Sequence, residues 1–235
     1  MPKPEAAAKN DWEAHLAREE ARYRDGETRL RDDPAEDAGP AEPDSRQRQL
    51  TRLGNAAGGA GLSLLMLGRP GEAIGWFERA AERYRESFRD APAGSWGRPI
   101  GAMKALILAG DWEKAEVAAR WALDATAPEP DSPIGRYAAA LALLVLDRPA
   151  EARQHADAVR TREDFPNDVG DALAFLAAQD VAGYETAVES ILESFEMRDE
   201  YLEDLPIADT VLVLQALAER RGMAAELSSP LLPPA

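Results

Sequence analysis

Residues 64–80 read LLMLGRPGEAIGWFERA, and residues 143–159 read LLVLDRPAEARQHADAV. The two stretches align without a gap, with Arg69-Pro70 on Arg148-Pro149 and Glu72-Ala73 on Glu151-Ala152. In each, an apolar run ends at a turn residue and a proline follows; proline lacks an amide proton and is preset for the first turn of a helix. Beyond it Ala73, Phe77 and Ala80 recur at steps of four and three, the spacing of one helical face. The stretch therefore predicts helix, tight turn, helix.

Outward from it, a third copy is LILAGDWEKAEVAARWA (residues 106–122) and a looser fourth is LAAQDVAGYETAVESILES (residues 176–194). The matched alanines, Ala73, Ala115, Ala152 and Ala187, stand 42, 37 and 35 residues apart, which brackets the length of a helix-turn-helix repeat. No alternating run rich in branched residues interrupts this pattern from Ser45 onward. The fold class expected is all-α, an α-α superhelix of about four helix pairs. Gly68 suits a left-handed helix end, Pro70 the next helix start, and Asp111 or Asp147 a cap.

Small residues where two helices cross, with one larger residue filling the space between neighbouring pairs, resemble the tetratricopeptide pattern. In the first copy these are Gly61, Ala73, Phe77 and Ala80. The chain departs from that family at Ala57 and Leu64, where the family usually has a tryptophan and a tyrosine, and at Met103, where a small residue belongs. The resemblance implies stacked pairs with a concave surface lined by first helices. It maps the partner-facing positions onto Asn55, Leu62, Lys104, Tyr137 and Leu141; core or neutral surface is an equal reading of each. Trp96, in the connection AGSWGRP, is a further candidate anchor for a partner, whereas Trp12, Trp76, Trp112 and Trp121 are expected mostly in the core or between repeats.

The division expected is residues 1–44, an amphipathic helix with an acidic proline-rich linker, and residues 45–235, the repeat domain. Asn10 or Asp11 suits a cap, and Trp12, Leu16, Tyr23 and Leu30 form one narrow stripe, so this helix is expected to dock. DDPAEDAGPAEPD (residues 32–44) holds six acids, three prolines and no basic residue, and reads as a linker. At the other end a capping helix is expected from about Pro206, with Ile207, Val211, Leu214 and Leu217 on one face and Gly222 as its stop. The apolar helix, the glycine, the short extension over residues 223–227 and the tail SPLLPP resemble the end of the immunity 49 family, all-helical proteins encoded beside bacterial polymorphic toxins. That likeness, over about thirty residues, implies a cytoplasmic protein that neutralises a toxin by contact, and carries over no site residue.

Composition narrows the chemistry. Cysteine is absent and only His15 and His155 are present, so disulfides, a thiolate zinc site and a cysteine nucleophile are excluded, and no metal or other cofactor is expected. A net charge of -16 repels polyanions, which argues against nucleic acid. Neither a secretory signal nor a bilayer-spanning run is legible, so no membrane association is expected. Glu151 and His155 share a helix face, but read as surface charge rather than a proton-transfer pair. The acids of FEMRDEYLED (residues 195–204) read as a solvated face, and GNAAGG (residues 54–59) as close helix contact, since no lysine-serine ending follows. Three functions remain, in order: a non-catalytic immunity protein whose partner is a toxin, a scaffold or adaptor that binds a host protein or itself, and a helical enzyme.

Overall fold

The computed structural model describes residues 11–32, 45–125 and 132–234, so the expected linker from residue 33 onward lies outside the described residues. Every regular element among them is helical. In chain order they are α1 (Trp12–Asp32), α2 (Arg46–Met66), α3 (Pro70–Phe88), α4 (Gly97–Leu108), α5 (Trp112–Ala125), α6 (Pro133–Val145), α7 (Pro149–Val159), α8 (Asn167–Ala178), α9 (Val181–Glu196) and α10 (Asp209–Glu219), with a 3-10 turn at Leu202–Asp204.

The even-numbered helices from α2 to α10 all stop in the same way. A residue with positive φ follows each: Gly68, Gly110, Asp147, Gln179 and Gly222. The amide of that residue bonds to the carbonyl three back, and the next amide reaches five back, as in Gly68 to Leu65 and Arg69 to Leu64, or Gly222 to Glu219 and Met223 to Ala218. This double bond satisfies carbonyls that a helix end leaves orphaned. Glycine meets the left-handed requirement at three of the turns without a Cβ penalty; Asp147 and Gln179 meet it at a cost. Asp147 is thus the turn residue itself and not a cap, whereas Asp111 does cap α5, accepting from the Lys114 amide at 3.0 Å.

Counting from the left-handed residue puts the copies in register. Five residues on stand Ala73, Ala115, Ala152 and Tyr184; nine on, Phe77, Ala119, Ala156 and Val188; twelve on, Ala80, Ala122, Val159 and Ile191. Every one is buried. The fourth copy therefore aligns on Tyr184, and Ala187 lies one helical turn later than the alignment of alanines places it. Seven residues before the turn stand Gly61 and Met103, which explains the departure at Met103. A Cβ on Gly61 would lie 2.6 Å from the Phe77 ring, while Met103 is matched in register with Ala119. Volume is conserved across the pair rather than at the position.

Each helix packs on the next, and α2 touches α4, α4 touches α6, α6 touches α8 and α8 touches α10. Alternate helices thus share an inner layer. Helix α1 docks on α2 with Leu16 in the common core, capped by Asp11, whose side chain accepts from the Ala14 amide at 3.0 Å. Helix α10 starts at Asp209, three residues later than expected, and also packs against α4. Its Val211, Val213, Leu214, Leu217 and Ala218 are all buried, more than one face of the cylinder. A helix buried on that much of its perimeter is packed into the body of the fold.

Beyond Gly222 no second helix follows among the described residues. The chain instead runs back along α10, with the Gln215 amide pairing to both backbone groups of Ala225 (2.7 and 3.2 Å) and the Ala208 amide bonding to Leu231 (3.0 Å). Among the described residues no helix is long and apolar enough to cross a membrane.

Candidate functional site

A cavity of about 400 Å³ opens between α2, α4 and the connection from α9 to α10. Asn55, Leu62 and Lys104, three of the positions mapped from the sequence, line it. Tyr137 and Leu141 do not; both are buried, 7 % and 0 % exposed. Trp96 precedes the first turn of α4 and is half-buried, as are the other four tryptophans, so none of the five lies fully in the core. Trp76 instead carries Tyr23 edge-on and the Arg79 guanidinium above it, Trp121 carries Phe88 and Arg85, and Trp112 carries Arg220.

The local sequence builds the cavity from missing side chains. Gly54 on α2 and Gly101 on α4 both face the Tyr84 ring, and a Cβ on either would meet it at 2.8 and 2.7 Å. Tyr84 of α3 therefore wedges between two inner helices and brings its hydroxyl to their far side. That hydroxyl donates to the Asn55 side-chain oxygen at 2.9 Å, and the Asn55 amide donates to Glu203 at 2.8 Å. Burial pushes the Tyr84 hydroxyl well above the ordinary tyrosine range, so it remains a donor at physiological pH. Gly59 receives Leu205 and Glu19 in the same manner, with Leu205 at 2.9 Å from where a Cβ would stand. The glycines of GNAAGG at 54 and 59 are thus close-contact positions, and no phosphate loop is formed.

Two ion pairs pin the connection to the array. Arg22 of α1 bonds to both Glu203 and the fully buried Glu19, and Arg18 donates to the Glu203 carbonyl at 2.9 Å. Burial pushes the Glu203 carboxyl up, but the Arg22 and Asn55 hydrogen bonds outweigh it and hold the group below its usual value. Lys104 bonds to Asp209 and Thr210 at the start of α10. Burial lowers the Lys104 pKa, and the Asp209 charge more than offsets it, so the ammonium is held above its ordinary value. From the expected solvated acids of residues 195–204, Glu203 has accordingly turned inward.

Two further cations line the cavity. Arg198 is exposed, stacks over the Phe195 ring at 3.7 Å, and pairs with no carboxylate among the described residues. Arg98, in the first turn of α4, bonds to Gln47, while its Nε is buried without a partner. Burial and then the charge of nearby Arg48 destabilise its cation, lowering its pKa. Apart from Thr51 and Tyr201 the remaining walls are mostly apolar, including Leu62, Phe77, Ile100, Leu108, Leu205 and Ile207.

A second hollow, between α3 and α5, has Glu78, Arg79, Glu82, Arg85 and Lys114 along it, with Lys114 bonded to Glu78 and Asp111. There both signs of charge lie together. Glu151 pairs with Arg148 at 2.5 Å on the surface, which depresses its pKa. No group of three acids or histidines suited to a metal occurs among the described residues. Comparisons of the chain with protein-family models, with curated proteins and with solved structures find no match.

Proposed function

We propose that the protein is a non-catalytic binding module, a superhelical array of tetratricopeptide-like pairs that neutralises a toxin by protein-protein contact. The observation that carries the binding reading is the recurrent turn, in which the same two hydrogen bonds close each inner helix and the same three positions are buried after it. Such arrays expose long continuous surfaces to partners, and their residues serve packing rather than chemistry. The toxin as partner rests on the likeness of residues 206–234 to the immunity 49 ending. The cavity supplies a contact, with Leu62, Asn55 and Arg198 along it, and Met197, next to Arg198 in the chain, is 78 % exposed. Large apolar groups and arginine at a rim are what interfaces favour.

The test is protection. A toxin gene adjacent to this one, expressed in a sensitive host, is expected to arrest growth, and coexpression of the protein to restore it with a stable complex on purification. Arrest that the protein does not relieve, or a neighbourhood of housekeeping genes alone, overturns the toxin reading and leaves the scaffold or adaptor.

A further inference from the structure

The cavity is locally positive in an acidic molecule, with Arg98, Lys104 and Arg198 against Glu203 and Asp209. Its two carboxylates, Glu203 and Asp209, are each committed to a cation, Arg22 and Lys104. What is left over is Arg98 and Arg198, positive and without a carboxylate, in a protein of net charge -16. Around them stand apolar walls, and about 400 Å³ lies within the range of cavities that take small organic ligands. Arginine's planar fork of donors suits a carboxylate or sulfonate, and a charge-assisted hydrogen bond is stronger than a neutral one.

We propose that this cavity binds a small amphipathic anion, an aromatic or medium-chain carboxylate or sulfonate, with its apolar body against Leu62, Leu108 and Leu205 and its acid drawn to Arg98 and Arg198. The ligand is a free small molecule, distinct from the protein partner proposed above, and its binding stands or falls independently of toxin protection. The neutral hydrocarbon alone lacks the group the arginines select. A polyanion is repelled by the surrounding charge.

Gly58 offers the decisive handle. It lines the cavity, and a Cβ there would meet only the Ala80 Cβ, at 4.0 Å, so a larger side chain enters free space. The probes are anilinonaphthalene sulfonate and its uncharged counterpart phenylnaphthylamine, titrated into the full-length protein by fluorescence. The sulfonate is expected to bind at one saturable site, and more tightly than the neutral compound. Arg98→Gln and Arg198→Gln are each expected to weaken the sulfonate about tenfold and to leave the neutral compound within about twofold, the loss of one charge-assisted contact. Gly58→Leu is expected to weaken both at least about tenfold while its melting temperature holds or rises, since leucine replaces glycine inside a helix. Sulfonate affinity unchanged in both arginine variants overturns the anion selectivity, and affinity unchanged in Gly58→Leu overturns the location. The arginine variants alter partly exposed side chains and keep the test decisive should Gly58→Leu misfold. Arg85→Gln, on the outer hollow, is the control and is expected to change neither probe.

Discussion

The two ends of the inner face are finished differently. Where α8 lies, α10 seals the face with branched and aliphatic side chains, and Leu173, Leu176, Val211 and Leu214 are all buried to about 1 % or less. Where α2 and the start of α4 lie, the covering element is an irregular connection held by Glu203, Leu205 and Asp209, and space remains beneath it. Both covers come from the same thirty residues of chain. A helix can interdigitate along its whole length, whereas a connection touches at the points where its side chains happen to reach. Burial at the α10 end, counting Ile207, Val211, Val213, Leu214, Leu217, Met223 and Leu231 at roughly 1.5 kcal/mol or more each, amounts to gross stabilisation on the order of 10 kcal/mol. The entropy of ordering the same residues offsets much of that gross figure, and the burial marks α10 as packed core.

The largest expected effect tests this sealed end. Leu214→Ala is expected to cost about 3 kcal/mol in urea unfolding, the usual price of a large-to-small change in a packed core. Leu205→Ala, at the edge of the cavity, is expected to cost about half as much, because its surroundings already include free volume. Equal losses would mean that the two ends are packed alike.

Next in size is the glycine that admits Phe77. Gly61→Ala is expected to destabilise by about 2 kcal/mol through overpacking, with the ring 2.6 Å from the new Cβ. Combined with Phe77→Ala, the loss is expected to be less than the sum of the two single losses, since the smaller side chain admits the methyl group. Strict additivity in the double-mutant cycle would break the volume exchange inferred from Gly61-Phe77 and Met103-Ala119.

How far the sequence disclosed this arrangement depends on the range of the contact involved. The turns at Gly68, Gly110 and the Arg-Pro pairs are local, and a repeated local signal is legible wherever it recurs. The fourth turn is legible too, yet a register that follows alanine leads to Ala187, while Tyr184 fills that position with a side chain of different size. At the cavity, counting along first helices leads to Asn55, Leu62 and Lys104. Tyr84, Arg98 and Glu203 are not legible, since each acquires its role from a residue far away in sequence, and Arg198 joins them only because the connection folds back over α2 and α4. Gly54 and Gly101 hinted at a close approach, but nothing in their neighbourhood says that the visitor is Tyr84. Tyr137 and Leu141 sit at groove positions that this chain buries.

The ties of the connection are expected to be smaller and to depend on pH. Lys104→Met leaves Asp209 without its cation and is expected to cost about 1–2 kcal/mol, less than a fully dry pair because the carboxylate is 28 % exposed. Glu203 contributes next. Its carboxyl has a folded pKa below the unfolded value, so its stabilisation is fully present above the unfolded pKa and is lost as pH falls through the folded one. Between pH 7 and pH 3 the wild type is therefore expected to lose more stability than Glu203→Gln, by denaturant titration at each pH. A parallel loss in both proteins would remove the inward carboxylate from the account.

The smallest expected effect has the opposite sign. Gln179 closes α8 with φ at 56°, in the place where Gly68, Gly110 and Gly222 close their helices, and its Cβ pays for a conformation that glycine adopts freely. Gln179→Gly is therefore expected to stabilise by about 0.5–1 kcal/mol, even though glycine inside a helix does the reverse. The comparison is internal to the molecule. Ala178→Gly, one residue earlier and still within α8, is expected to destabilise by about the same amount. Opposite signs at adjacent residues, read by melting temperature, would place the fourth turn in the same class as the glycine turns. Destabilisation at both positions would sever it from them, and with it the register that sets Tyr184 beside Ala73, Ala115 and Ala152.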